Sequence, residues 1–214
     1  MTSLTKPKST VNKEPVLVAE ETVDQVKKVT VIIFNGPPGA GKDTLVDALC
    51  ADPDLKVSKC TFKEPLFKIA IPLSGMTEEA FMTKYNNREN KEVAWDELNG
   101  MTPRAFLIKI SEEWIKPSLG ISRLGYLALQ AVKVAPTDII LFSDGGFAEE
   151  VKLMQDIFGA DSIILVRLYR EGCTFEGDSR NYVEPGDSIC LDLKLQDGQA
   201  NMAVKALKRF ITIN

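Results

Sequence analysis

The segment Gly36-Pro37-Pro38-Gly39-Ala40-Gly41-Lys42-Asp43-Thr44 constrains this chain more than any other stretch of it. It follows Val29-Thr30-Val31-Ile32-Ile33-Phe34, a β-branched run of the kind found in a strand buried on both faces. It leads into Lys42 to Cys50, where Leu45, Val46 and Leu49 recur at helical spacing. Strand must therefore give way to helix across a loop of glycines. Such a loop lets successive backbone N–H groups turn toward an anion, and the helix start adds its positive end. The spacing G-x-x-x-x-G-K thus reads as a phosphate cradle. Gly36, Gly39, Ala40 and Gly41 shape it, Lys42 brings a mobile charge to β- and γ-phosphates, and Asp43 and Thr44 assist a metal. The strict pattern has Ser or Thr directly after the lysine, whereas here Asp43 intervenes and Thr44 comes second.

The rest of the chain alternates strand and helix. Strands are expected at Lys56 to Phe62, Asp138 to Phe142, Ser162 to Leu168 and Ser188 to Leu193. Helices are expected at Pro65 to Ile71, from Thr102-Pro103 toward Pro117, and at Ser122 to Val134, Phe147 to Phe158 and Gln199 to Phe210. Phe106, Ile110 and Trp114, spaced by four, are expected to form the apolar stripe of the Thr102 helix. Alternation of this kind implies a parallel sheet covered on both faces. Residues 1–28 mix polar residues with two prolines and read as a flexible tail, so the domain runs over 29–214. Within it, 77–100 reads as a mobile, polar helical insertion and 170–182 as a Gly-rich lid.

Composition narrows the chemistry. The 214 residues contain no histidine, which excludes His-based triads, His-liganded zinc and imidazole acid–base catalysis. With 26 Lys and Arg against 30 Asp and Glu, the net charge of −4 argues against a nucleic-acid coat. The absence of a long apolar run argues against membrane insertion. Four scattered cysteines without a C-x-x-C pair, and no signal-peptide pattern, point to a reduced, cytoplasmic setting. Cations gathered at one site must then hold any anionic ligand. Arg104 falls in the first turn of its helix, a poor place for a cation unless an anion joins it. Asp144 ends a strand at the carboxyl edge of the sheet, where ligands of open α/β folds collect. Arg167, Arg170 and Arg180 flank the lid segment.

Several of these stretches resemble one family. The loop variant G-x-x-G-x-G-K-x-T looks like that of nucleoside monophosphate kinases. Phe62-Lys63-Glu64-Pro65-Leu66-Phe67-Lys68 resembles the F-A-D-P-L-K stretch of tailed-phage deoxynucleoside monophosphate kinases, and Met101-Thr102-Pro103-Arg104 resembles their T-P-R segment. Asp178-Ser179-Arg180 is similar to their D-S-H, with arginine in place of histidine. Asp144-Gly145-Gly146-Phe147-Ala148-Glu149-Glu150 stands where members often have D-x-R-F-x-N-E, so Gly146 and Glu149 replace an arginine and an asparagine.

The resemblance implies a P-loop kinase-like three-layer α/β fold with ATP as phosphoryl donor, Mg2+, and a nucleoside or deoxynucleoside monophosphate as acceptor. It makes Lys42, Arg170, Arg180 and Asp144 catalytic candidates. Lys63, Glu64, Lys68, Arg104 and Arg123 become acceptor contacts, and Asp43, Thr44 and Asp144 metal contacts. A homodimer is left open, and the host cytoplasm is the setting if the chain is phage-encoded. Two alternatives stand beside this reading: a kinase of another small phosphorylated metabolite, and a nucleotide-binding ATPase or switch module.

Overall fold

The computed structural model describes residues 28–178 and 180–213. The tail expected over 1–28 therefore lies outside the described residues, apart from Lys28, as does Ser179 of the expected lid. The strands are β1 (Thr30–Asn35), β2 (Val57–Cys60), β3 (Ile139–Gly145), β4 (Ile163–Arg170) and β5 (Ile189–Leu195). All pairings among them are parallel, in the order β2-β3-β1-β4-β5. The helices are α1 (Lys42–Cys50), α2 (Glu64–Leu73), α3 (Glu78–Asn86), α4 (Pro103–Ile108), α5 (Lys116–Leu119), α6 (Arg123–Val134), α7 (Ala148–Phe158) and α8 (Ala200–Ile213).

β1 explains the layering. Its side chains alternate across the sheet, and both sets are buried because each meets a helical layer. Val31 and Ile33 join Leu129 and Val132 of α6 and Val151 and Met154 of α7. Ile32 and Phe34 join Leu45, Val46 and Leu49 of α1 and Leu207 and Ile211 of α8. Each such side chain contributes about 1.5–3 kcal/mol on full burial. The result is the expected three-layer α/β fold.

The helix after β1 covers one face and the helix after β3 covers the other, although the two strands are neighbours. Their carboxyl ends therefore open on a crevice, the place where open α/β sheets take ligands. The register between them slips there, since Ile33 pairs with Phe142 but Asn35 pairs with Gly145. β3 carries the additional residue, and a bulge of this kind re-aims the side chains it holds. Ser143 and Asp144 lie in it.

Two expectations need correction. The 77–100 segment is not a loose polar insertion. Phe81, Trp95 and Leu98 are buried and share a core with Phe67 and Ile71 of α2 and Leu107 of α4. Trp95 meets the ring of Phe81 at 5.3 Å and donates its indole N–H to Asn90 O at 3.0 Å. The stripe expected through Trp114 also fails, because Trp114 is 50% exposed while Ile115 is 1% exposed. Between α4 and α5 the chain winds as a π-helix over Lys109–Ile115, whose wider turn moves the inward position on by one residue. The start of this helix is as expected: Thr102 accepts from Ala105 N–H at 3.1 Å, with Pro103 in the first turn.

Candidate active site

The glycine loop lies at the β1 end of the crevice. Gly39 and Gly41 have φ of 81° and 99°, left-handed values that glycine adopts without strain. Gly36 is needed for space, since a Cβ there would lie 2.9 Å from Leu168 O. Lys42 is 7% exposed and donates from Nζ to the loop's own carbonyls, Gly36 O at 2.5 Å and Pro37 O at 2.9 Å. Burial, reinforced by the nearby Arg180 charge, pulls its pKa down to about 8. Asp43 and Thr44 are exposed on the first turn of α1, and Asp43 lies 4.0 Å from Lys59 Nζ.

Arg170, the last residue of β4, donates to Gly39 O at 3.1 Å and pairs with Asp197. It braces the loop from outside. Asn35, at the foot of the loop, is fully buried and joins three segments. Its amide N–H donates to Gly145 O at 3.2 Å and to Asn181 O at 3.0 Å, and its oxygen accepts from Val183 N–H at 3.0 Å. The chain returning from the lid region is thereby pinned to the ends of β1 and β3. Tyr182 adds to the anchor by stacking on Tyr169 at 4.5 Å and donating to Leu168 O at 2.9 Å.

Across the crevice lies a cavity of about 550 Å³ between the β2–α2 turn, the α4 helix and its π-helical extension, and the starts of α6 and α7. Leu66, Leu107, Ile108, Leu124 and Leu153 give it apolar lining, while Lys63, Arg104, Lys116 and Arg180 line it together with Glu92, Glu112, Asp144, Glu149, Glu150 and Asp178. Asp144 places both its oxygens on the β2–α2 turn, accepting from Phe62 N–H at 2.9 Å and Lys63 N–H at 3.1 Å. Burial raises its pKa, and Lys63 and those two N–H groups oppose the rise.

Arg180 is held by Asp178 through two hydrogen bonds, Nε to Oδ1 at 2.9 Å and Nη2 to Oδ2 at 2.7 Å. This contact holds the Asp178 pKa down at about 2. Arg104 reaches Glu92 at 3.5 Å with both groups largely exposed, a pairing weak enough to exchange.

The crevice thus gathers Lys42, Asp144, Lys63, Arg104 and Arg180, with Arg170 behind the loop. It does not gather the other acceptor candidates. Glu64 and Lys68 pair with each other at 2.7 Å along α2, and neither lines the cavity. Arg123 is exposed, and its neighbours Ser122 and Leu124 line the wall in its stead.

Asn35, Asp178 and Glu150 went unassigned in the sequence. Asn35 had a readable signal, a polar residue closing an apolar strand. Glu150 accepts from Gly146 N–H at 3.4 Å and Phe147 N–H at 3.3 Å at the start of α7. Burial, with Asp144 nearby, pushes its pKa up to about 8. Nothing in F-A-E-E announces a carboxyl so sheltered.

The residues present fit a nucleoside triphosphate with its magnesium. The loop offers backbone N–H groups and a lysine, and Thr44 and Asp43 offer a hydroxyl and a carboxylate at the helix start. One or two such protein oxygens suit Mg2+, which commonly takes its other ligands from phosphates and water.

No protein-family model matches the chain, and no curated protein matches it. Among solved structures, a Chloroflexus aurantiacus protein carrying a provisional kinase assignment is 14% identical, with a TM-score of 0.44, over 88% of this chain and 98% of that one. Shikimate kinase from Bacteroides thetaiotaomicron is 13% identical, with a TM-score of 0.38, over 86% of this chain and 98% of that one. The class follows from the chain's own topology. A parallel 2-3-1-4-5 sheet with a glycine loop between β1 and α1 defines a P-loop kinase-like three-layer α/β fold. Among the described residues no helix is long and apolar enough to cross a membrane.

Proposed function

We propose that this protein transfers the γ-phosphoryl group of ATP to a nucleoside or deoxynucleoside monophosphate, giving the diphosphate. One observation carries the reading. Lys63, Asp178 and Arg180 line the cavity beside the cradle and also act electrostatically on the Lys42 ammonium. Donor and acceptor phosphates would meet among these groups. The apolar lining suits a base and sugar, the cations Lys63, Arg104 and Arg180 suit a monophosphate, and the volume suits a small molecule. The same acceptor is what the segments resembling those of tailed-phage deoxynucleoside monophosphate kinases, met in the same order, would imply.

In this reading the loop N–H groups and Lys42 bind and orient the donor phosphates, and Lys42 follows the charge that develops on them. Arg104, Lys63 and Arg180 orient the acceptor phosphate in line with the donor. Asp144 acts through Lys63 by fixing the β2–α2 turn, and Arg170 keeps Gly39 in place. The acceptor phosphate is ionised at neutral pH, so no side chain has to remove a proton. When bound with ATP, Mg2+ would be held by Thr44 and through water by Asp43, and it supplies charge neutralisation on the donor phosphates.

The test is direct. Purified protein is incubated with Mg-ATP and each common ribo- and deoxynucleoside monophosphate, and the products are resolved. At least one should gain a phosphate. If none does while a phosphorylated metabolite does, the acceptor assignment is wrong. Slow ATP hydrolysis that no acceptor stimulates would point to a switch module.

A further inference from the structure

Gly146 stands directly against the stem of Arg180. A Cβ built on it would lie 2.5 Å from Arg180 Cδ, 2.8 Å from Cγ and 3.0 Å from Cβ. Those distances leave no room for any side chain unless Arg180 moves. The backbone makes no such demand, because the left-handed φ values fall on other glycines, Gly39 and Gly41 among them. Glycine therefore serves space at this position.

The space matters because of where Arg180 ends up. Its guanidinium is gripped by Asp178, lines the acceptor cavity and lies close enough to Lys42, Asp144 and Glu150 to influence all three. Of the cations on the cavity wall, Arg180 and Lys63 both act on Lys42, and Arg180 acts more strongly.

We propose that Gly146 is a positioning residue, whose missing side chain lets Arg180 cross the start of α7 and set its guanidinium between the Lys42 cradle and the acceptor's phosphate. The inference rests on the phosphotransferase reading for the identity of the acceptor. The placement of Arg180 does not depend on that reading.

Two variants and two readouts test it. Gly146→Ala should raise the acceptor KM about tenfold, the worth of one charge-assisted hydrogen bond misplaced, and leave the ATP KM within about twofold. Equal rises in both KM values, or no rise in either, overturn the proposal. Gly146→Arg combined with Arg180→Ala gives the same volume a single side chain. It should recover most of the acceptor KM that Arg180→Ala alone loses, and failure to recover overturns the shared-space argument.

The second readout needs no acceptor. Gly146→Ala should lower the melting temperature of the wild-type protein and should not lower it in the Arg180→Ala background, where the space the new methyl needs is already free. An equal drop in both backgrounds, or none in either, overturns the proposal. If the wild-type protein phosphorylates no monophosphate yet the drop depends on Arg180, the function reading fails and the Gly146–Arg180 geometry stands.

Discussion

The glycine cradle and the cavity proposed for the acceptor share a crevice but are built differently. The cradle comes from one contiguous stretch, residues 36–44, and works mainly through backbone held by two left-handed glycines, with Arg170 fastening it and Asn35 tying the strand before it to Gly145. The cavity collects side chains from the β2–α2 turn, α4 and its π-helical extension, α6, the end of β3, α7 and the lid segment, spread from Phe62 to Arg180. A backbone site tolerates little change and should fail as a unit. A site made of separate side chains should lose function piecemeal, one ligand at a time.

The sharpest test of that contrast is Lys42→Ala. It should lower the transfer rate by about a thousandfold, as removal of a preorganised charge partner does, and leave the melting temperature near wild type. Activity retained within tenfold would mean that the loop is not the donor site.

Next comes the helical stretch that carries Arg104. Ile115→Ala should destabilise the fold by about 2–4 kcal/mol in a denaturant titration, whereas Trp114→Ala should stay within about 0.5 kcal/mol. The reverse order would place the inward position back at Trp114. Arg104→Ala should raise the acceptor KM by roughly tenfold and the ATP KM much less, and parallel changes would dissolve the division between the two halves.

The remaining test concerns pH. The folded-state pKa of Glu150 lies above its ordinary 4.5, at about 8. The neutral form is therefore the one the fold shelters. The stability it contributes is complete below about pH 4.5 and is lost as pH rises through about 8. Glu150→Gln should flatten that part of the stability–pH curve, and an unchanged slope would assign it to another group.

The same contrast explains what could be read from the chain in advance. α1 falls on its expected residues, Lys42 to Cys50, with Leu45, Val46 and Leu49 inward, because loop, cap and apolar spacing are all local. Thr102 caps its helix for the same reason. The cavity was legible only in part. Arg104, Asp144 and Arg180 were expected from their positions on elements and Lys63 from a family resemblance, and all four line the cavity. Lys68, expected from the same resemblance, pairs with Glu64, and neither it nor Arg123 is among the lining residues. That Gly146 and Arg180 fill one space could not be read, since they lie in different segments and meet only once the sheet has formed. Trp114 was misplaced because a period of 3.6 does not anticipate a π-turn.

That π-turn makes chain length a determinant in its own right. A π-turn takes up one residue more than the α-helix it interrupts, so one residue removed between Lys109 and Ile115 would let the segment wind as plain α-helix with Arg104, Leu107 and Ile115 still on their faces. The same removal at the end of α4 has no wider turn to absorb it and would carry the residues before it round by roughly 100°, taking Arg104 and Leu107 off the cavity. No substitution in this helix could reproduce that change, and at this point the count of residues carries information that their identities do not.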